Sequence, residues 1–200
     1  MNSRGSPLAI VTGGGSDIGH PVSCRLAQEG YFVSVWDGRF GAALNALSEI
    51  ERGGHDADAI QVDLGSMNSI NRAALLTVTE WGLPALLVNC AGPAGSLEEQ
   101  MNAASACIGA VSSGLKDMRN AVVVNVFARS EVSQAREQVR VQEWTESMSA
   151  RLKPFGVRVN SLVVESSERD AVANATSVLC SKASTAPSGG LFGMTGALSR

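Results

Sequence analysis

Short apolar runs alternate along this chain with longer stretches in which apolar positions recur every three or four residues. Leu8-Ala-Ile-Val11 is a continuous apolar run of the kind buried on both faces of a sheet, and a glycine-rich turn follows it. Residues 18–29 have helical spacing and stop at Gly30. The alternation then repeats, with strands at 32–36 and 57–62 around a helix at 42–52 that ends on Gly53-Gly54. Ser66 is placed to cap a helix running to about residue 79, and a strand follows at 85–88. Ser96-Leu-Glu-Glu99 is a capping box that opens a helix to about Met118. Further strands are predicted at 121–126 and 157–164, a short one at 191–194, and helices at 131–153 and 168–181. Strands alternating with helices predict an α/β fold: a doubly wound parallel sheet of six to seven strands, with helices on both faces and right-handed crossovers.

At 200 residues the chain suits one domain, 1–200, with a sizeable core. A net charge of −3 gives no reason to expect nucleic acid or an anionic membrane as a partner. No apolar run reaches the length of a membrane span, and the polar residues 1–6 do not read as a secretory signal. Cys24, Cys90, Cys107 and Cys180 have neither zinc-site nor redox-pair spacing. They are expected to pack as small apolar residues, with no metal and a cytoplasmic location. The one low-complexity patch is the Ser/Ala/Gly-rich 181–190.

The chemistry begins at the first turn. Thr12-Gly-Gly-Gly-Ser-Asp-Ile-Gly19 lies between a strand and a helix. Glycines there let the backbone turn sharply and approach a pyrophosphate, and the helix start supplies N–H groups and a positive dipole end. Gly13, Gly15, Ser16, Asp17, Ile18 and Gly19 are the candidate phosphate-side residues. Asp37 ends the second strand, 18 residues after Gly19, where a carboxylate can accept both adenosine ribose hydroxyls and repel a 2′-phosphate. That favours NAD over NADP, with Arg39 close enough to soften the preference.

Taken in order, these segments resemble the short-chain dehydrogenase/reductase family. Thr12 to Gly19 matches its TGxxxGIG, with Asp17 in place of the middle glycine. Val62-Asp63-Leu64 is similar to the segment that holds adenine, and Asn89-Cys-Ala-Gly92 to the NNAG that lies under the cofactor. Arg158-Val-Asn160 matches the RVN of strand six, and residues 190–196 the closing glycine-rich strand. The resemblance implies a Rossmann-type fold that binds a nicotinamide dinucleotide, with Asp63, Leu64, Asn89, Ala91 and Gly92 added to the cofactor residues. Two roles are open to Asp17: crowding the pyrophosphate, or capping the helix and pointing away.

The same resemblance exposes a loss. The family uses a tyrosine as general acid or base and a lysine one helical turn later. Counting back from Arg158-Val-Asn160 places Gln134 and Gln138 at those positions. An amide keeps hydrogen-bonding power but exchanges no proton near neutral pH. Ala128 stands at the family's serine, with Ser130 and Ser133 nearby as weak candidates. The supporting asparagine falls on or beside Ala103, and Asn102 is one residue off, a rotation of about 100° on a helix. Val163-Val164 replaces the family's Pro-Gly. Tyr31, the one tyrosine, begins the second strand and so belongs to the wrong end of the sheet. Of the lysines 116, 153 and 182, Lys153 lies roughly 22 Å of helix beyond Gln138. His20, Glu131, Glu137 and Glu143 read as solvated helix positions.

The segments 89–118 and 125–134 and the stretch after Val164 are shorter than the family's. That implies loss of the helix after strand four, part of the serine loop and the substrate lid. The helix at 131–153 carries an apolar stripe of Val141, Trp144, Met148 and Leu152. The stripe either packs on the sheet or, with the helix at 98–118, pairs copies of the chain into a homodimer or homotetramer, as the resemblance implies. Three functions stay open. The chain is a cofactor-binding or partner subunit without standard catalysis, an oxidoreductase with a nonstandard acid, or a structural subunit that binds no cofactor.

Overall fold

The computed structural model describes residues 5–90, 96–118, 120–128, 132, 135–164, 169–181 and 184–193. In chain order the elements are β1 (Leu8–Thr12), α1 (Gly19–Gln28), β2 (Phe32–Asp37), α2 (Phe40–Arg52), β3 (Ala57–Gln61), α3 (Met67–Trp81) and β4 (Pro84–Cys90). They continue with α4 (Leu97–Asp117), β5 (Val122–Ala128), α5 (Ala135–Leu152), β6 (Arg158–Val164), α6 (Arg169–Cys180) and β7 (Leu191–Gly193). Seven parallel strands form one sheet in the order β3-β2-β1-β4-β5-β6-β7. Strand order reverses between β1 and β4, and it is beyond the carboxyl ends at such a switch that open α/β sheets take their ligands.

Side-chain alternation on the strands divides the core. Ala9 and Val11 of β1 face one layer with Val22 and Leu26 of α1, Ala43, Ala46 and Ile50 of α2, and Val172 and Leu179 of α6. Ile10, between them, faces the other layer with Ile70 of α3, Ile108 and Val111 of α4, and Met148 and Leu152 of α5. A third cluster sits around Phe127, the penultimate residue of β5, joining Leu97 and Met101 of α4 to Val141 of α5.

The stripe on α5 therefore packs within the chain. Val141, Met148 and Leu152 are buried, and Trp144 stacks edge-on to Phe127 with centroids 6.1 Å apart while its Nε1–H donates to Ser105 Oγ of α4 at 3.0 Å. Three expectations are corrected. The long helix does not start at residue 131: Val132 lies in a bend and α5 begins at Ala135. The loss of a helix after β4 gives way to the other expectation for that segment: the helix from the Ser96–Glu99 capping box is present as the 21-residue α4. Finally, α2 opens at Phe40, two residues earlier than its apolar spacing suggested, because Arg39 is extended and serves as its N-cap.

Candidate active site

Around the switch point a cavity of about 710 Å³ opens, a size typical of small-molecule sites. Its floor is the first turn and the carboxyl ends of β1, β4 and β5: Thr12, Gly13, Ser16, Asn89, Cys90 and Phe127. Asp37, Gly38 and Arg39 form one side, and Val62 to Gly65 continue it. The opposite wall is the first face of α4, from Glu99, Gln100, Ala103 and Ala104.

The turn is shaped by backbone crowding. Gly13 holds φ +61°, a left-handed conformation that favours glycine. A Cβ on Gly15 would stand 2.4 Å from the carbonyl carbon of Ala42, and one on Gly19 2.1 Å from the Gly13 carbonyl oxygen. Gly15, Ile18 and Gly19 do not line the cavity; the two glycines let α2 and α1 close on the turn, and Ile18 is buried beside them. Asp17 also lies outside the cavity. Its carboxylate pairs with the Arg169 guanidinium of α6 at 3.0 Å, both side chains being largely exposed. It lies away from the cavity, as one expected role had it, but does not cap the helix: the hydrogen bond at the helix start comes from Ser16, whose Oγ accepts the Gly19 N–H at 3.0 Å.

Asp37 is 6% exposed, and both carboxylate oxygens accept backbone N–H groups, Oδ2 from Gly15 at 3.1 Å and Oδ1 from Arg39 at 2.9 Å. It thereby joins the glycine turn to the start of α2. Asp63 is exposed and accepts the Gly65 N–H at 2.9 Å. Glu99 is held below the usual carboxylate range, first by the Ser96 N–H and then by the Ser96 hydroxyl. Asp37 and Asp63 against the one Arg39 guanidinium leave their side acidic, and Glu99 faces it from the opposite wall.

Beneath the cavity runs a chain of buried hydrogen bonds. Thr12 Oγ1 donates to Asn89 Oδ1 at 3.2 Å, and Asn89 Nδ2 to Asn125 Oδ1 at 2.9 Å. Asn125 Nδ2 reaches the Asn160 carbonyl at 3.4 Å, and Asn160 Oδ1 accepts the Gly190 N–H at 2.9 Å. Thr12, Asn89 and Asn125 share one register row across β1, β4 and β5, so their side chains leave the same face.

Of the described positions read as catalytic, Gln138 and Ala128 do not line the cavity. Gln138 is exposed in the first turn of α5, and Ala128 closes β5 opposite Val164. Ala103 faces the cavity while Asn102 is exposed, as the helical offset required. Gln134, Ser130, Ser133, Glu131, Ala91, Gly92 and Lys182 lie outside the described residues. Tyr31 precedes β2 at the amino end of the sheet, and burial raises its phenol further above neutrality. Lys116 sits over the Phe155 ring at 4.5 Å, and Lys153 follows α5, both at helix ends remote from the carboxyl edge. Among the described residues no tyrosine or lysine lines the cavity. Burial pushes Cys107 up to about 12 and raises Cys90 and Cys180 as well, so these thiols stay protonated.

Sequence reasoning missed Cys90, Glu99, Gln100, Ala104 and Phe127 as lining residues. Cys90 ends β4 and Phe127 is the penultimate residue of β5, a signal available from the rule on carboxyl ends. Gln100, Ala103 and Ala104 share one helical face by their spacing.

The family model for short chain dehydrogenase matches residues 7–176. The chain belongs to the short-chain dehydrogenase/reductase family. It is 28% identical over 175 residues to the short-chain reductase protein NovJ of Streptomyces niveus, covering 78% of this chain and 67% of NovJ. It is 31% identical over 126 residues to the 7alpha-hydroxysteroid dehydrogenase of Escherichia coli K12, covering 63% of this chain and 45% of that enzyme. The matched part thus spans less than half of that dehydrogenase. A solved 7α-hydroxysteroid dehydrogenase complexed with NADH and 7-oxo glycochenodeoxycholic acid superposes with TM-score 0.84 at 20% identity, over 96% of this chain and 93% of that one. The apo structure of a short chain oxidoreductase from Pseudomonas aeruginosa PAO1 containing an atypical catalytic center superposes with TM-score 0.85 at 21% identity, over 97% of each chain. These likenesses carry the fold. Short-chain dehydrogenases of this family are NAD(P)-dependent oxidoreductases, and among the described residues of this member no helix is long and apolar enough to cross a membrane.

Proposed function

We propose that this short-chain dehydrogenase/reductase homologue binds NAD across its switch point and does not perform the family's tyrosine–lysine hydride transfer, acting as a cofactor-binding or partner subunit. The observation that carries the reading is a cavity of about 710 Å³ at the switch point with no tyrosine or lysine in its described lining. The residues fit the cofactor. Gly13 and Ser16, beside the dipole end of α1, suit a pyrophosphate, while Asp63, Leu64 and Val62 suit an adenine. Asn89, with Ala91 and Gly92 next in sequence, would underlie the nicotinamide half. Asp37 would take the ribose hydroxyls, and the acidic wall around it disfavours a 2′-phosphate despite Arg39. When bound, NAD supplies a hydride acceptor. This chain's residues would hold and orient it, with Gln134 and Gln138 offering hydrogen bonds but no proton. The single domain would work in the cytoplasm, where its free cysteines stay reduced, and self-association would cover the exposed Val139 on α5.

Fluorescence titration with NADH and NADPH tests the binding. NADH should bind at least tenfold more tightly than NADPH, and Asp37→Ala should remove most of that margin. No binding at millimolar NADH would leave only a structural role. Steady-state NADH oxidation with a panel of ketones and quinones tests the chemistry. Turnover that disappears in Gln134→Ala or Ser133→Ala would establish an enzyme with a nonstandard acid instead.

A further inference from the structure

Outside the first cavity, α1 and α2 bring three metal-binding side chains together. His20 and Cys24 stand one turn apart on one face of α1. Glu49 reaches them from α2, its Oε2 3.0 Å from His20 Nε2. The imidazole nitrogen, the thiol sulfur and a carboxylate oxygen all lie within 4.8 Å of one another, the one such group among the described residues. Two ligands about 2.1 Å from a tetrahedral ion stand about 3.4 Å apart, so a small side-chain adjustment would bring all three onto one centre. Cysteine spacing alone concealed this group, because its members come from two helices.

A second cavity, of about 340 Å³, adjoins the group and is lined by Cys24 and Glu49 together with Asp170 and Asn174 of α6. It gives an ion a path from solvent and leaves room for a fourth ligand, water or the Asp170 carboxylate. None of the three residues lines the dinucleotide cavity. The donor set of one nitrogen, one sulfur and one oxygen matches a borderline-soft cation; magnesium and calcium prefer oxygen alone.

We propose that His20, Cys24 and Glu49 form a zinc site that clips α1 to α2 behind the glycine turn. Coordination replaces the Cys24 S–H bond by an S–Zn bond and the proton leaves to solvent; no electron is transferred. The ion would fasten the two helices whose starts frame the turn, since α1 begins at Gly19 and the Ala42 backbone of α2 lies against Gly15. This holds whether or not the cavity takes NAD.

The test titrates Co²⁺ and then Zn²⁺ into the chelator-treated full-length protein. One equivalent of Co²⁺ should give the near-ultraviolet thiolate-to-cobalt charge-transfer band with the intense visible bands of a tetrahedral site, and Zn²⁺ should abolish both. Cys24→Ser should lose the charge-transfer band. His20→Gln and the surface variant Glu49→Gln should each weaken Zn²⁺ binding at least tenfold while keeping the wild-type circular dichroism. Zn²⁺ should raise the unfolding midpoint of the wild type and not that of Glu49→Gln. A missing charge-transfer band, a band unchanged in Cys24→Ser, or a midpoint indifferent to Zn²⁺ would overturn the site and leave His20 and Glu49 as a surface ion pair.

Discussion

The two sides of the sheet's switch point are built to different tolerances. On the β1–α1–β2 side the geometry depends on backbone meeting backbone, at Gly15 against Ala42 and at Gly19 against Gly13. On the β5–α5 side it depends on side chains that pack or hydrogen-bond, and the residues expected to do chemistry add little to that packing: Gln138 is exposed and Ala128 contributes a methyl. A nucleotide cradle of the first kind cannot drift without losing the fold. A catalytic group of the second kind can be exchanged while helix and strand stay in place. On the reading proposed above, that is how a member of an oxidoreductase family would keep the shape of its site with Gln134 and Gln138 at the positions counted for the acid and its lysine.

The strongest challenge to this contrast is Gly19→Ala, because the nearest atom to the new methyl is a backbone oxygen. It should cost about 3 kcal/mol or more and lower the unfolding midpoint by about 6–12 °C in circular dichroism. A midpoint within a degree of wild type would mean the turn is not the rigid partner. Asn125→Ala, across the switch, leaves the Asn89 amide and the Asn160 carbonyl without their buried partner. It should cost about 1–3 kcal/mol by denaturant unfolding. A neutral result would erase the polar floor as a structural element.

Asp58 of β3 shows that the first side also contains replaceable groups. Burial raises its pKa, against smaller opposing hydrogen bonds from Ser34 and Trp81, whose Nε1–H donates to Asp58 Oδ2 at 2.7 Å. A carboxyl with a raised folded pKa binds more protons when folded. Its effect on stability is therefore most favourable below the unfolded value, and stability is lost as pH rises through the folded value. Asp58→Asn should flatten the stability profile across that acid window and raise stability slightly at neutral pH, as read by urea midpoints. A profile unchanged by the substitution would sink this assignment. Smallest of all is Gln138→Lys, which should change unfolding free energy by less than about 0.5 kcal/mol, as exposed helix positions do. A larger loss would show that the catalytic side is less forgiving than its exposure suggests.

Most of the architecture was legible in the alternation of apolar runs, because the central strands β2, β1, β4, β5 and β6 are buried on both faces and each helix carries one apolar stripe. The first turn and Asp37 were legible for the same local reason: strand, glycine turn, helix and carboxylate lie within 30 residues of sequence. Boundaries failed where backbone conformation outranked composition, as at the extended Arg39 before α2 and the bend at Val132 before α5. Glu99 and Gln100 escaped because nothing local tells that α4 crosses the mouth of the cavity. The partner of Asp17 escaped because Arg169 lies 152 residues away.

The hydrogen-bonded chain from Thr12 through Asn89, Asn125 and Asn160 to Gly190 ties β1, β4, β5 and β6 to the residue before β7 in one platform. Because these amides are immobilised when the protein folds, a guest arriving above them has no rotamers of theirs left to freeze. The entropy of organising that platform is spent once, at folding, and every later occupant meets a surface already set.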